Sequence, residues 1–367
     1  MKVVWAGSFD PGFSRNAKLA RLMTVSGIQV VVIRQDVWVA DRIGLAARPN
    51  WRVALGALYK YPLLLIRLLA AARPDAYLVS YPGWFDVAIV RMAASIKRRP
   101  LVFDPFLSLH DTVISDRQLH DPGSMVARLT TAVDKWSLRW ADLIVADTRP
   151  HLELFEELAG GLRQDGVVIP VGADDEVFVP RRDLEVEPAS VLFYGTFVPL
   201  QGVATIVEAA ALLEPQGIHT TIIGDGQDRP FLDDAIKRTG VKLDLSGLVP
   251  LDELPSRIAC SSVCLGVFGD SDKAGRVVPH KLYESLAIGR PIVTRDGPGI
   301  RSLFSEGEVI MVPPADPVAL ANAIRALVDD AEQRERVAAA GHSAYQQRFH
   351  ERRLAELLVE AFESVTN

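Results

Sequence analysis

The stretch Pro188-Ala189-Ser190-Val191-Leu192-Phe193-Tyr194-Gly195-Thr196-Phe197-Val198-Pro199-Leu200-Gln201-Gly202-Val203-Ala204-Thr205-Ile206-Val207 is the longest charge-free run of the sequence. Its length matches the roughly 20 residues of a membrane span, yet Gly195, Pro199, Gln201 and Gly202 interrupt it. It therefore reads as a buried strand, a glycine-bearing loop and the start of a helix. The same rhythm recurs downstream, with strand-like runs at Thr220 to Ile223, Lys242 to Leu245, Val263 to Val267, Ile292 to Thr294 and Val309 to Val312. Upstream it runs through Lys2 to Ala6, Ile28 to Ile33, Ala76 to Ser80, Leu101 to Phe103, Leu143 to Ala146 and Val167 to Ile169. Short β-branched runs alternating with helical patterns predict parallel sheets covered by helices. A proline- and acid-rich passage from Pro170 to Pro188 separates the two series. The predicted architecture is α/β: two Rossmann-like, doubly wound parallel-sheet domains facing a central cleft. Residues 1–172 form the first domain, 173–188 a hinge and 189–348 the second, with a helix at about 349–367 packing back on the first.

The 367 residues, 49% of them apolar and 23% charged, suffice for two such cores. Gly and Pro are scattered, which excludes collagen-like and disordered readings. Met1 leads directly into a strand, so no secretory leader is expected. The two cysteines, Cys260 and Cys264, lie in an apolar run and read as buried thiols. A net charge of -6 excludes a strongly basic nucleic-acid binder, but the charge is uneven. The first 109 residues hold 15 Lys/Arg against 6 Asp/Glu, as a surface facing anionic lipid or a phosphorylated acceptor requires. Arg52, Lys60, Arg67 and Arg73 punctuate a Leu-rich helical stretch that fits either a core helix or a membrane-surface helix, and Lys97-Arg98-Arg99 adds a basic turn.

Ligands of open parallel sheets bind beyond the carboxyl ends of strands, so four loops matter. The loop running from Gly7 through Asp10 and Gly12 to Arg15 lacks the third glycine of a dinucleotide fingerprint, and so does Gly224-Asp225-Gly226. A nicotinamide cofactor is therefore disfavoured. Gly7, Asp10, Gly12 and Arg15 are candidate acceptor contacts, while Gly224 and Gly226 fit either a tight turn or a donor contact. In the second loop Gly195, Thr196, Gln201 and Gly202 allow backbone to approach a phosphate before the next helix. The third loop is Phe268-Gly269-Asp270-Ser271-Asp272-Lys273-Ala274-Gly275-Arg276-Val277-Val278-Pro279-His280-Lys281-Leu282-Tyr283-Glu284. Pro279 is expected as the first helical residue, so unpaired amides should leave this loop beside Lys273, Arg276 and Lys281, a setting for a diphosphate. Glu284 follows Lys281 by three positions on one helix face, either pairing with it or accepting sugar hydroxyls. Asp270-Ser271-Asp272 reads as solvated loop, not a Mg²⁺ site. The fourth loop, Phe103 to Thr112, offers His110 at the reaction centre, with Asp111 or Asp104 to orient it.

At these residues the chain resembles glycosyltransferases of the GT-B fold, specifically the large retaining family 4. The resemblance is carried by Val191 to Phe197 with Gly202, by Ile223-Gly224-Asp225-Gly226, by Ser246-Gly247-Leu248-Val249-Pro250, and by Pro279-His280-Lys281-Leu282-Tyr283-Glu284-Ser285-Leu286-Ala287 through Val293. It implies that the second domain binds a nucleotide-sugar, that Glu284 holds the ribose, and that the segment around Leu248 walls the nucleobase. Val277, Val278, Pro279 and His280 join the donor contacts on the same ground. Two positions depart from the family pattern. Thr196 and Gln201 stand where Arg and Lys are common, so Lys273, Arg276, Lys281 and helix amides must supply the charge. Arg276 stands where a sugar-contacting glutamate is usual.

The expectation is a cytoplasmic, metal-independent, retaining glycosyltransferase without cofactor, the nucleotide-sugar being a co-substrate. His110, Asp111, Arg276 and Lys281 are its candidate catalytic residues. The expected acceptor is a glycan or lipid-linked precursor of the cell envelope, with peripheral contact at the inner membrane face left open. A nucleotide-sugar epimerase and a non-catalytic sugar-nucleotide binder are the alternatives.

Overall fold

The computed structural model describes residues 1–37, 51–116 and 119–366, the side chains of 51–54 and of 116 excepted. Two compact units emerge, Met1–Pro170 with Arg352–Asn367, and Val171–Glu351.

The first unit holds strands β1 (Lys2–Gly7), β2 (Gln29–Arg34), β3 (Ala76–Ser80), β4 (Leu101–Asp104), β5 (Leu143–Ala146) and β6 (Val167–Val168). They form one parallel sheet in the order β2-β1-β3-β4-β5-β6. The chain leaves β1 toward β2 and returns on the other side at β3, so the order switches between β1 and β3. Alternate residues face opposite layers, as the strand period of two dictates. Val4, Ala6, Tyr77, Val79, Leu101 and Phe103 meet the helices Trp51–Ala70, Asp86–Lys97, Met125–Trp140 and Arg149–Ala159. Val3, Trp5, Leu78, Val102 and Val145 meet the helix Ser14–Val25 and the last helix of the chain, Glu351–Thr366. That last helix seats Leu354, Leu358, Ala361 and Phe362 on the sheet, the spacing of one helical face. Each such large side chain contributes about 1.5–3 kcal/mol by leaving water.

The second unit holds β7 (Ser190–Tyr194), β8 (His219–Ile223), β9 (Asp244–Ser246), β10 (Val263–Leu265), β11 (Ile292–Arg295) and β12 (Ile310–Val312). Their parallel order is β12-β11-β10-β7-β8-β9, so the switch lies between β7 and β10. Phe193, Ile222, Leu265 and Val293 pack against the helices Val203–Leu213, Arg229–Thr239 and Pro317–Asp329. β9 starts two residues later than its pattern suggests, because this edge strand is half-solvated and burial does not pin its register. Both cysteines are thiols. Cys264 is buried, and burial pushes its pKa up to about 11.

Candidate functional site

In the second unit the loops after β7 and β10 flank the switch point, where open α/β sheets bind ligands. The loop after β10 is built by three devices. Ser271 Oγ accepts the amide of Ala274 and so caps the five-residue helix Asp272–Arg276, where an irregular loop was expected. Arg295, at the end of the neighbouring β11, donates Nη1 to Gly269 O (2.7 Å) and Ser271 O (3.1 Å). Pro279 then stands in extended conformation just before the helix His280–Ile288, so His280, not Pro279, is its first residue. The amide of Leu282 already donates to Pro279 O at 3.0 Å, which leaves fewer helix amides for a ligand than the sequence implied.

Lys281 is the centre of this arrangement. It is 5% exposed, its Nζ donates to Gln201 Oε1 at 2.6 Å and to Gly266 O at 3.4 Å, and it stands 3.7 Å from the centroid of the Phe193 ring. Burial holds its pKa well below the ordinary lysine value, with the nearby Glu284 carboxyl acting in the opposite direction. A Cβ at Gly195, whose φ is +148°, would lie 3.1 Å from Lys281 Nζ and 3.7 Å from Gln201 Nε2. Gly195, Gln201 and Lys281 therefore converge on one point. Glu284 bonds elsewhere than to Lys281: it accepts the Tyr194 hydroxyl at 2.9 Å, and burial pushes its pKa up to about 7 against that bond and the lysine charge. Tyr194 ends β7, so the strand itself places this donor.

The remaining candidates of this unit fall into two groups. Lys273 and Val278 are buried; Arg276, Val277, Pro279 and His280 are half-buried around the same turn; Thr196 and Leu248 are exposed. Gly202, Gly224 and Gly226 serve backbone packing. A Cβ at Gly224 would meet Gly195 O at 2.0 Å, and one at Gly202 would meet Gly269 N at 2.6 Å. They hold the loops together, and that alone requires glycine there.

In the first unit the switch-point loop is self-contained. Gly7 is buried against Asp86, whose carboxylate accepts Ser8 N at 2.7 Å and Ser8 Oγ at 3.0 Å. Asp10 Oδ1 accepts the amide of Gly12 at 2.9 Å, both residues being exposed. Arg15 corrects the sequence reading. It is wholly buried, with Nε and Nη2 both 2.8 Å from Asp104 Oδ2 and Nη1 2.9 Å from Ile169 O, so its charge is neutralised inside the core and no acceptor reaches it.

His110 is held by residues that the motif search passed over. Asp134 Oδ2 accepts its amide at 2.8 Å, and the same carboxylate takes Ser108 Oγ (2.7 Å) and Leu109 N (2.9 Å). Burial lifts the Asp134 pKa to about 6 against these bonds. Ring Nδ1 lies 3.0 Å from Thr131 Oγ1 and 3.2 Å from both Thr130 Oγ1 and Ala127 O. Both hydroxyls donate to helix carbonyls, and Ala127 O can only accept, so Nδ1 carries the proton and Nε2 presents a lone pair. Neither expected orienter holds the ring. Asp104 is bound to Arg15, and the buried Asp111 gives its amide to Ser108 Oγ at 2.9 Å. An acidic residue on the buried face of the amphipathic helix Met125–Trp140 was the available signal for Asp134.

Two doubly wound units, the second with a cationic turn at its switch point, define the GT-B class of α/β folds. Known proteins agree. Residues 174–344 match the model of the glycosyl transferases group 1, and residues 15–172 that of a glycosyl transferase 4-like domain. Each half of the chain is thus similar to a glycosyltransferase domain. It is 31% identical over 153 residues to an alpha-D-kanosaminyltransferase of Streptomyces kanamyceticus, covering 40% of this chain and 38% of that one. It is 31% identical over 212 residues to the lipopolysaccharide core biosynthesis glycosyltransferase LpsE of Rhizobium meliloti, covering 56% of this chain and 59% of that one. Among solved structures, HepE from Anabaena in complex with UDP superposes with a TM-score of 0.71 at 18% identity, over 99% of this chain and 100% of that chain.

Proposed function

We propose that the chain is a retaining, metal-independent glycosyltransferase that moves a sugar from a nucleoside diphosphate to an acceptor hydroxyl. The carrying observation is the convergence of Gly195, Gln201 and Lys281 at the switch point of the second unit. A diphosphate seated there gains the ammonium of Lys281, whose pKa rises once an anion offsets the cost of burial. Gln201 supplies the acceptor that aims Nζ, and the Phe193 ring supports it. The leaving diphosphate accumulates charge as the glycosidic bond breaks, so a preorganised cation favours the transition state over the ground state. Glu284 takes ribose hydroxyls, its carboxyl oriented by Tyr194. His110 offers Nε2 to a sugar or acceptor hydroxyl, and Lys273 and Arg276 flank the diphosphate.

The HepE complexes with UDP and UDP-glucose support a nucleotide-sugar as the ligand, and the likeness to LpsE supports a cell-envelope glycan or glycolipid precursor as acceptor. Retention follows from the family resemblance. Thermal-shift measurement against UDP-, GDP-, dTDP- and ADP-sugars tests the donor. A bound sugar nucleotide at a hundred times its dissociation constant stabilises by about 2.7 kcal/mol, and Lys281→Ala abolishes that shift. A flat response to all four overturns the proposal.

A further inference from the structure

The helix layer on one face of the first sheet turns an apolar surface outward. Leu55, Leu58, Tyr59, Leu63, Ile66 and Leu69 of Trp51–Ala70 are between 37% and 72% exposed, while only Leu64 and Leu68 of its described side chains are fully buried. Met92 and Ile96 continue the surface on the adjoining helix Asp86–Lys97. Met125, Leu129, Trp136 and Trp140 extend it along Met125–Trp140, at spacings of four and seven that keep them on one side, and the two indoles stack at 6.3 Å. Single exposed apolar residues are ordinary; a stripe on each of three neighbouring helices is not. In the second unit the exposed ones among the described residues are single, as Phe231 and Val318, or confined to one short segment, Leu245, Leu248 and Leu251.

The charge around these stripes is mostly positive, with Asp142, paired with Arg91 and Arg163, the carboxylate in the groove beside them. The segment Trp51–Ala70 contains no Asp or Glu, and the single carboxylates of the other two helices, Asp86 and Asp134, are buried. Arg98, Arg99, Arg128, Lys135 and Arg139 border the apolar residues and enter no ion pair among the described residues. Two surface grooves lie along the same edge. One of about 440 Å³ is lined by Trp136, Trp140, Lys135, Arg139 and Arg163, and another of about 560 Å³ by Arg91, Arg98 and Arg99 with a single carboxylate, Asp142. Cations at helix C-termini complement the helix dipole, but that accounts for neither the apolar stripes nor the missing carboxylates. No helix among the described residues is long and apolar enough to cross a membrane.

We propose that this face docks on an anionic lipid surface. The leucine, isoleucine and methionine side chains enter the headgroup boundary, Trp136, Trp140 and Tyr59 settle at headgroup level, and the arginines and lysines meet lipid phosphates. A protein partner would have to bring a wholly acidic apolar surface; a phosphatidylglycerol bilayer offers that pairing everywhere. This surface lies within the first unit and stands apart from the donor-site reading.

The full chain is sedimented with phosphatidylglycerol/phosphatidylcholine vesicles and with phosphatidylcholine alone, without nucleotide. Binding is expected only to the anionic vesicles and falls as salt rises. Trp136→Ser with Trp140→Ser lowers the partition coefficient by roughly tenfold or more, and Arg98→Glu with Arg99→Glu removes the preference for anionic lipid. The tryptophan variant keeps the wild-type melting temperature because both indoles are exposed, and the arginine variant stays folded at the assay temperature, Arg98 being exposed and Arg99 half-buried. Absence of binding to the anionic vesicles overturns the proposal, as does binding that neither variant changes. So does a wild-type dimer in sedimentation velocity that the variants convert to monomer, which assigns the face to self-association.

Discussion

Each unit buries a cation on the helix that follows a switch-point strand, and the two are treated in opposite ways. Arg15, after β1, meets Asp104 in a fully buried ion pair and two backbone carbonyls besides. Lys281, after β10, meets only neutral acceptors and an aromatic ring, with no carboxylate at ion-pair distance among the described residues. The first charge is closed inside the protein. The second has neutral partners alone, and burial holds its pKa below the ordinary lysine value. A buried cation thus marks a binding site only when the fold withholds its counter-charge.

The comparison breaks most visibly at Asp104. Asp104→Ala strands the Arg15 guanidinium and costs about 3–5 kcal/mol of stability in urea titration. A loss under 1 kcal/mol would show that the pair is not the closed charge described. Lys281→Met inverts the pattern. Activity falls by roughly 10²–10³-fold, the scale of one lost transition-state donor, while the stability loss stays well below that of Asp104→Ala because a buried charge leaves with the hydrogen bonds. The smallest effect sharpens the contrast through pH. Glu284 has a folded pKa near 7 against an ordinary 4.5, so the folded state holds that proton more tightly. Its contribution is complete below 4.5 and disappears as pH rises through 7. Asp134, lifted to about 6, tilts stability the same way. Wild type minus Glu284→Gln therefore isolates a change on the order of 3 kcal/mol across that window; parallel curves would show Glu284 ionised throughout.

All twelve described strands overlap runs read from the sequence, most plainly the central ones, because strands buried on both faces of a parallel sheet leave little choice of residue. The glycine loop and the Lys281 turn were legible for a related reason, since close backbone approach restricts side chains. What stayed hidden was pairing at long range. Arg15 and Asp104 lie 89 residues apart, Tyr194 and Glu284 90, and no local pattern ties them. Arg15 consequently read as a ligand contact when it is a core ion pair. The helix Trp51–Ala70 read more readily as a core helix than as a surface one, because its leucines surround the helix and three cations alone do not mark which side meets the sheet.

The strand β1 spans Lys2–Gly7, and one of the two helices that cover Val3 and Trp5 spans Glu351–Thr366, more than 340 residues later. During synthesis that face of the first sheet, covered in part by Ser14–Val25, therefore lacks its second helix until residue 362 has left the ribosome. Any nascent or C-terminally clipped chain shows that apolar layer to the cell, so proteolytic trimming of the final helix should register first as aggregation and only afterwards as lost activity.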